Sequence, residues 1–214
     1  MEIITFSGVL PQVFSSNPPG QSAVWQQEVS FERGKSYLVE ADSGCGKSTL
    51  CSYITGSRND YSGTILFDQT DVSRFSRSQW LDIRRRVVSS VYQDLRLFPE
   101  LTAIENIEIK NRLTHHIDGK TISAWLAELD IAEKRDTPVR LLSFGQQQRV
   151  AIIRSLCQPF SFLLADEPVS HLDDDCAQAA ARLIAREASR QGAAVIATSI
   201  GRHLPLSYNK VIKL

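Results

Sequence analysis

Two short segments carry residues whose types and spacing suit phosphate chemistry. The first is Ala41-Asp-Ser-Gly-Cys-Gly-Lys-Ser-Thr49, set between an apolar run and a helical pattern. It meets G-x-x-x-x-G-K-S/T at every fixed position except the first, where Ala41 replaces Gly. In such a loop the backbone N–H groups and the helix N-terminus form a concave anion site. Lys47 supplies a point charge for β- and γ-phosphates, and Ser48 a hydroxyl for Mg2+. Gly44 and Gly46 let the backbone approach phosphate closely, while Ser43, Cys45 and Thr49 complete the cradle. A methyl at Ala41 is tolerable at negative φ and costly at positive φ. The second segment, Phe162-Leu-Leu-Ala-Asp-Glu-Pro168, is an apolar strand ending in two acids. Asp166 suits Mg2+, directly or through water, and Glu167 suits polarising an attacking water. Alone, the first segment fits ATP and GTP equally.

These residues need a sheet whose strands end beside helix N-termini, and the rest of the chain supplies the pattern. Short apolar or β-branched runs at 2–6, 29–31, 36–41, 63–67, 87–92, 161–166, 193–198 and 210–214 alternate with helical patterns at 47–55, 77–86, 103–112, 122–129, 145–157 and 173–190. This argues for an α/β fold with a mostly parallel sheet. Segment 14–21, with Asn17-Pro18-Pro19-Gly20, has the turn chemistry of a loop. Between 94 and 158 the strand signal disappears, so a helical subdomain is expected there, inserted into a core made of 1–93 and 159–214. The sequence ends at its last expected strand, which leaves no room for a C-terminal regulatory domain.

Composition sets the outer bounds. The 214 residues are 43% hydrophobic and 22% charged, ordinary for a globular chain with a real core. Lys plus Arg and Asp plus Glu both number 24, so the basic excess of a bulk nucleic-acid binder is missing, and no nucleic-acid partner is expected. No apolar run approaches the ~18 to 20 residues needed to span a bilayer, and the N-terminus has no basic region ahead of an apolar run. Cys45, Cys51, Cys157 and Cys176 have no C-x-x-C spacing, which fits a reducing cytoplasm.

Just before the acidic pair lies Leu142-Ser-Phe-Gly-Gln-Gln-Gln-Arg149. With it, the chain resembles the ATP-binding cassette (ABC) ATPases over its whole length. The segment is similar to the family signature LSGGQ followed by QQR, with Phe144 at the first Gly. The resemblance implies the P-loop NTPase core with an antiparallel β portion and a helical subdomain. It also implies Mg-ATP as ligand and a second subunit facing the first head to tail. Ser143, Gly145, Gln146 and the N-terminus of the following helix would then cap the γ-phosphate bound by the other subunit. Val91-Tyr-Gln-Asp94 looks like the Q-loop, which makes Gln93 a Mg2+ or water contact. Ser170-His-Leu-Asp173 resembles the D-loop, which places Asp173 at the dimer interface. Phe14, about thirty residues before Lys47, stands where the family has its adenine-stacking aromatic.

One position departs from the family. Where a switch histidine follows a late strand, this chain reads Ala197-Thr-Ser-Ile200, placing Ser199 there. A hydroxyl can hydrogen-bond phosphate but carries no positive charge, and one transition-state donor is worth roughly 3–4 kcal/mol. Retained ATP binding with slow hydrolysis is therefore expected, with His203 and His171 as nearby substitutes. The stretch from Trp80 to Asn106 is similar to the macrolide-export, lipoprotein-release and cell-division (FtsE-like) branch, although Arg84–Arg86 also suit a helix end. That branch implies an integral-membrane permease as partner and a place on the inner face of the membrane. A homodimer is expected, with a heterodimer as the alternative. The alternative function is a nucleotide-dependent dimerisation module with little hydrolysis.

Overall fold

The computed structural model describes residues 1–16, 20, 22–42 and 44–214. Ser43, and Asn17, Pro18, Pro19 and Gln21 of the loop expected at 14–21, lie outside the described residues. The chain runs β1 (Ile3–Pro11), a single helical turn at Gln12–Phe14, β2 (Glu28–Glu32), β3 (Ser36–Glu40), α1 (Lys47–Ile54), β4 (Tyr61–Phe67) and β5 (Thr70–Asp71). It continues through α2 (Arg77–Arg86), β6 (Val88–Val91), α3 (Ala103–Asn111), α4 (Gly119–Glu128), α5 (Phe144–Leu156), β7 (Phe162–Asp166), α6 (Asp174–Gln191), β8 (Ala194–Ser199) and β9 (Lys210–Lys213). Every strand and helix expected from the sequence forms.

The strands make two sheets. One is parallel, in the order β6-β7-β8-β3-β9; the other is antiparallel, in the order β2-β1-β4-β5. All residues of β7 and β8 are buried, as a parallel sheet covered on both faces requires. Alternate residues serve different cores. Phe162, Leu164, Ala194 and Ile196 pack with α1 and the antiparallel sheet. Leu163, Ala165, Val195 and Ala197 pack with α3, α4, α5 and α6. Between β6 and β7 no named strand occurs among the described residues, matching the expected helical stretch.

Two features differ from the sequence expectation. The run expected at 2–6 continues to Pro11, with a register shift against β4 between Ser7 and Leu10. Gly8 at φ +59° carries this irregularity, and a Cβ on Gly63 would fall 2.4 Å from the Gly8 carbonyl oxygen. A glycine and a proline in one run imitate turn chemistry while forming a bulged strand. The two-residue β5 was too short to leave a periodic signal.

Helix starts are set by local chemistry. Ser143 and Gln146 form a reciprocal capping box on α5. Asp173 caps α6 by accepting from the Cys176 amide at 2.8 Å, and Asp174 and Asp175 complement the helix dipole.

Candidate functional site

The loop from β3 into α1 is built by its glycines. Gly44 and Gly46 sit at φ +84° and +99°, where a side chain is strained. A Cβ on Gly46 would also come within 3.0 Å of the Trp25 ring and 3.1 Å of Phe14. Ala41 is not among the residues with positive φ, so its methyl is accommodated. The Trp25 indole donates to the Cys45 carbonyl at 3.0 Å, holding the loop from beneath. Helix α1 starts without a side-chain cap and without an acid in its first turn. Its first amides therefore keep their capacity for an anion. The Lys47 ammonium donates to the carbonyls of Ala41 at 2.9 Å and Asp42 at 3.0 Å, and lies along the loop it follows.

Asp166 meets this loop from the end of β7. The Ser48 hydroxyl donates to Asp166 Oδ2 at 2.9 Å, and the Thr198 hydroxyl donates to Oδ1 at 2.5 Å. Parallel pairing sets Thr198 directly beside Asp166. The following residue, Glu167, sits at φ +49°, an uncommon backbone state for a residue with a Cβ. Three contacts hold it. Its amide donates to Thr198 Oγ1 at 3.3 Å, and its carbonyl accepts from Gln148 Nε2 at 3.1 Å and Ser170 Oγ at 3.2 Å. Gln148 is only 1% exposed and its other amide atom accepts from the His171 amide at 3.2 Å. One side chain of α5 thus ties Glu167 to the segment before α6.

Lys47, Ser48, Thr49, Gly44, Gly46, Phe14, Gln93 and Glu167 line one cavity of about 390 Å³, together with Val13, Arg58 and Ile200. Gln93 also lines an adjoining cavity of about 320 Å³ with Ser48, Cys51 and Asp166. Burial, with Asp166 nearby, pushes the Cys51 thiol well above its ordinary range, so it stays protonated at neutral pH. Ser48 Oγ, the Asp166 carboxylate and the Gln93 amide form a set of hard oxygen donors suited to Mg2+ beside phosphate.

Other candidate residues stand apart. Ser143, Gly145 and Gln146 lie at the start of α5, and Asp173 at the start of α6, none of them on the cavity. A Cβ on Gly145 would sit 2.8 Å from the His171 carbonyl oxygen, so glycine is needed where α5 meets that segment. Phe144 packs against the His171 ring, tilted by 56° with the centroids 4.2 Å apart, and remains 44% exposed. The Cys176 amide holds the Asp173 carboxyl below its usual range.

The structure does not bring Ser199 to the phosphate-loop cavity. Its hydroxyl donates to the Arg202 carbonyl and accepts from the Gly201 amide, both at 3.0 Å. It lines a neighbouring cavity with Glu40, Ala41, Asp42 and His203, which shares Ile200 with the phosphate-loop cavity. Strand parity is the cause: Thr198 takes the α1 face, so Ser199 takes the other. His203 pairs with Glu40 at 3.2 Å, and His171 Nδ1 contacts Ser170 Oγ at 2.8 Å; neither lines the phosphate-loop cavity.

Thr198, Gln148, Trp25 and Arg58 escape sequence reasoning. Thr198 shares its strand face with Ala194 and Ile196 and comes level with Asp166 only through sheet register, which the local sequence does not carry.

Comparison with known proteins gives these features a context. The ABC transporter family profile matches residues 26–170. An uncharacterized ABC transporter ATP-binding protein of Mycobacterium tuberculosis is 34% identical over 184 residues, 85% of this chain and 56% of that protein. The chain thus spans little more than half of that relative's length. The lipoprotein-releasing system ATP-binding protein LolD of Syntrophotalea carbinolica is 28% identical over 190 residues, 87% of this chain and 84% of that one. A dimeric ATP-binding cassette in a post-hydrolysis state, bound to ADP and Pi, aligns with a TM-score of 0.75 and 26% identity, covering 92% of this chain and 87% of that one. With 145 of its 214 residues inside the matched region, the chain belongs to the ABC transporter family.

Proposed function

We propose that this chain is the ATP-binding subunit of an ABC membrane system, coupling ATP binding and hydrolysis to movement of a permease. The observation that carries the reading is the Ser48–Asp166 hydrogen bond at 2.9 Å. It joins the phosphate loop to the acidic strand end, across the place where a phosphate-bound cation belongs. Mg2+, held by Ser48 and Asp166 with Gln93 alongside, would neutralise charge on the β- and γ-phosphates. Lys47 and the first amides of α1 bind the phosphate chain, Phe14 offers an aromatic face to the base, and Glu167 orients the attacking water.

Ser143, Gly145, Gln146 and Asp173 have no substrate within their own subunit. They serve a second copy of the chain placed head to tail, a reading supported by the relative solved as a dimer. Residues 94–158 form the helical subdomain, and 1–93 with 159–214 the nucleotide core. The relative named for lipoprotein release, and one of Shewanella named as a macrolide export ATP-binding/permease protein, support a permease partner, with export, lipoprotein release or envelope mechanotransmission as the work proposed. No helix is long and apolar enough to cross a membrane among the described residues. In this reading the permease supplies the membrane attachment, at the inner face.

A second reading, a nucleotide-driven dimerisation module with slow hydrolysis, is favoured by Ser199. Its hydroxyl is engaged with its own loop rather than directed at the phosphate-loop cavity. Steady-state phosphate release by the native chain, E167Q and S199H separates the two. A hydrolysing motor loses turnover in E167Q. A slow native rate raised by S199H supports the second reading, and fast native turnover indifferent to S199H excludes it.

A further inference from the structure

Arg58 lies on the wall of the phosphate-loop cavity but belongs to neither motif. It follows the C-terminal end of α1 and folds back towards that helix's first turn. Its Nη1 donates to Thr49 Oγ1 at 3.3 Å. Its Nε donates to Asp60 Oδ1 at 2.9 Å, and Nη2 donates to Asp60 Oδ2. The guanidinium carbon rests 5.9 Å from the centre of the Tyr53 ring. Asp60, by contrast, is not on the cavity wall. The geometry thus fixes a permanently charged, planar fork with N–H groups to spare, with its counter-ion behind it and a phosphate-loop residue in front.

The position along the loop is informative. Lys47 is bound to the Ala41 and Asp42 carbonyls and Ser48 to Asp166. Arg58 shares no hydrogen-bond partner with either, and among the described residues it hydrogen-bonds the loop at Thr49, one residue further into α1. We propose that Arg58 is a second cationic nucleotide ligand, donating to α- or β-phosphate oxygens that ATP and ADP have in common. This rests on the cavity being the Mg-ATP site. Lys47 with the Ser48–Asp166 pair then serves the γ end, and Arg58 retains the nucleotide after the γ-phosphate has gone.

The test is competition of ATP and of ADP, each with Mg2+, against a fluorescent ADP analogue on the full chain. R58A and R58Q should weaken both nucleotides by the same factor, about tenfold for one lost charge-assisted hydrogen bond. Their affinities should also depend less steeply on salt. R58K, which keeps the charge, should stay within about threefold of the native chain. R58Q and R58K carry the test if R58A melts early. Unchanged affinity for both nucleotides, or a loss confined to ATP, would overturn the proposal. Failure of the native chain to bind either nucleotide would instead overturn the parent reading, and this one with it.

Discussion

Replacing Thr198 by Val removes one hydroxyl and keeps the shape of the side chain. Thr198 is 1% exposed, donates to Asp166 Oδ1 at 2.5 Å and accepts from the Glu167 amide at 3.3 Å. A hydrogen bond to a charged acceptor contributes about 1.5–3 kcal/mol, and leaving a half-buried amide unpaired adds about 1 kcal/mol. The expected loss is therefore about 2.5–4 kcal/mol. At roughly 2–4 °C per kcal/mol for a domain of this size, the melting temperature should fall by about 5–15 °C. Thr198→Ser keeps the hydroxyl and loses a methyl, so it should cost about 1 kcal/mol. Urea unfolding followed by circular dichroism measures both. Nucleotide-dependent stabilisation should also shrink in the valine variant, because Asp166 and Glu167 lose a shared anchor. A valine variant within about 0.5 kcal/mol of the native chain, or a serine variant as damaged as the valine one, would refute the role assigned to this hydroxyl.

Other consequences follow from the same geometry. Gly46→Ala should destabilise the chain by about 1–2 kcal/mol through left-handed strain and abolish nucleotide binding, because its Cβ meets Trp25 and Phe14; melting and nucleotide titration report the two effects. Gln148→Leu breaks both contacts of a buried amide, so stability should fall by about 2–3 kcal/mol and turnover should fall with native nucleotide affinity. Burial, helped by Arg154 and Arg84, pulls the Lys110 ammonium down to about 8. The unfolded chain then binds more protons than the folded one between about pH 8 and 10.5, so this group's destabilising effect is full below pH 8 and fades as pH rises. Lys110→Met should accordingly stabilise at pH 7 by about 1–2 kcal/mol, solvent screening keeping the gain small, with the difference shrinking towards pH 10 in urea titrations.

The phosphate loop and the acidic strand end were legible because their chemistry is local. Glycines with positive φ, a lysine and a serine are set by adjacent backbone, and a strand ending in Asp166-Glu167 needs only its own sequence to be seen. Thr198 and Gln148 were not legible, because their partners lie 31 or 32 and 19 or 23 residues away and are chosen by sheet register and helix packing. Ser199 shows the same limit from the other side. Its place in the sequence points to the nucleotide, while strand parity turns its hydroxyl into the Gly201–Arg202 loop. Trp25 gave no signal, since an indole twenty residues before Cys45 becomes a loop support only after folding. The expected helices were correct in number and blurred at their ends, where caps such as Asp118 move a start to Gly119.

The most direct test of the whole account is calorimetric titration of the native chain and of Lys47→Ala with Mg-ATP. The expected result is saturable binding at one site per chain by the native protein, lost or weakened by at least about a hundredfold in the variant while its melting temperature in the absence of nucleotide stays near native. Equal binding by both proteins, or none by the native chain at millimolar Mg-ATP, would contradict it.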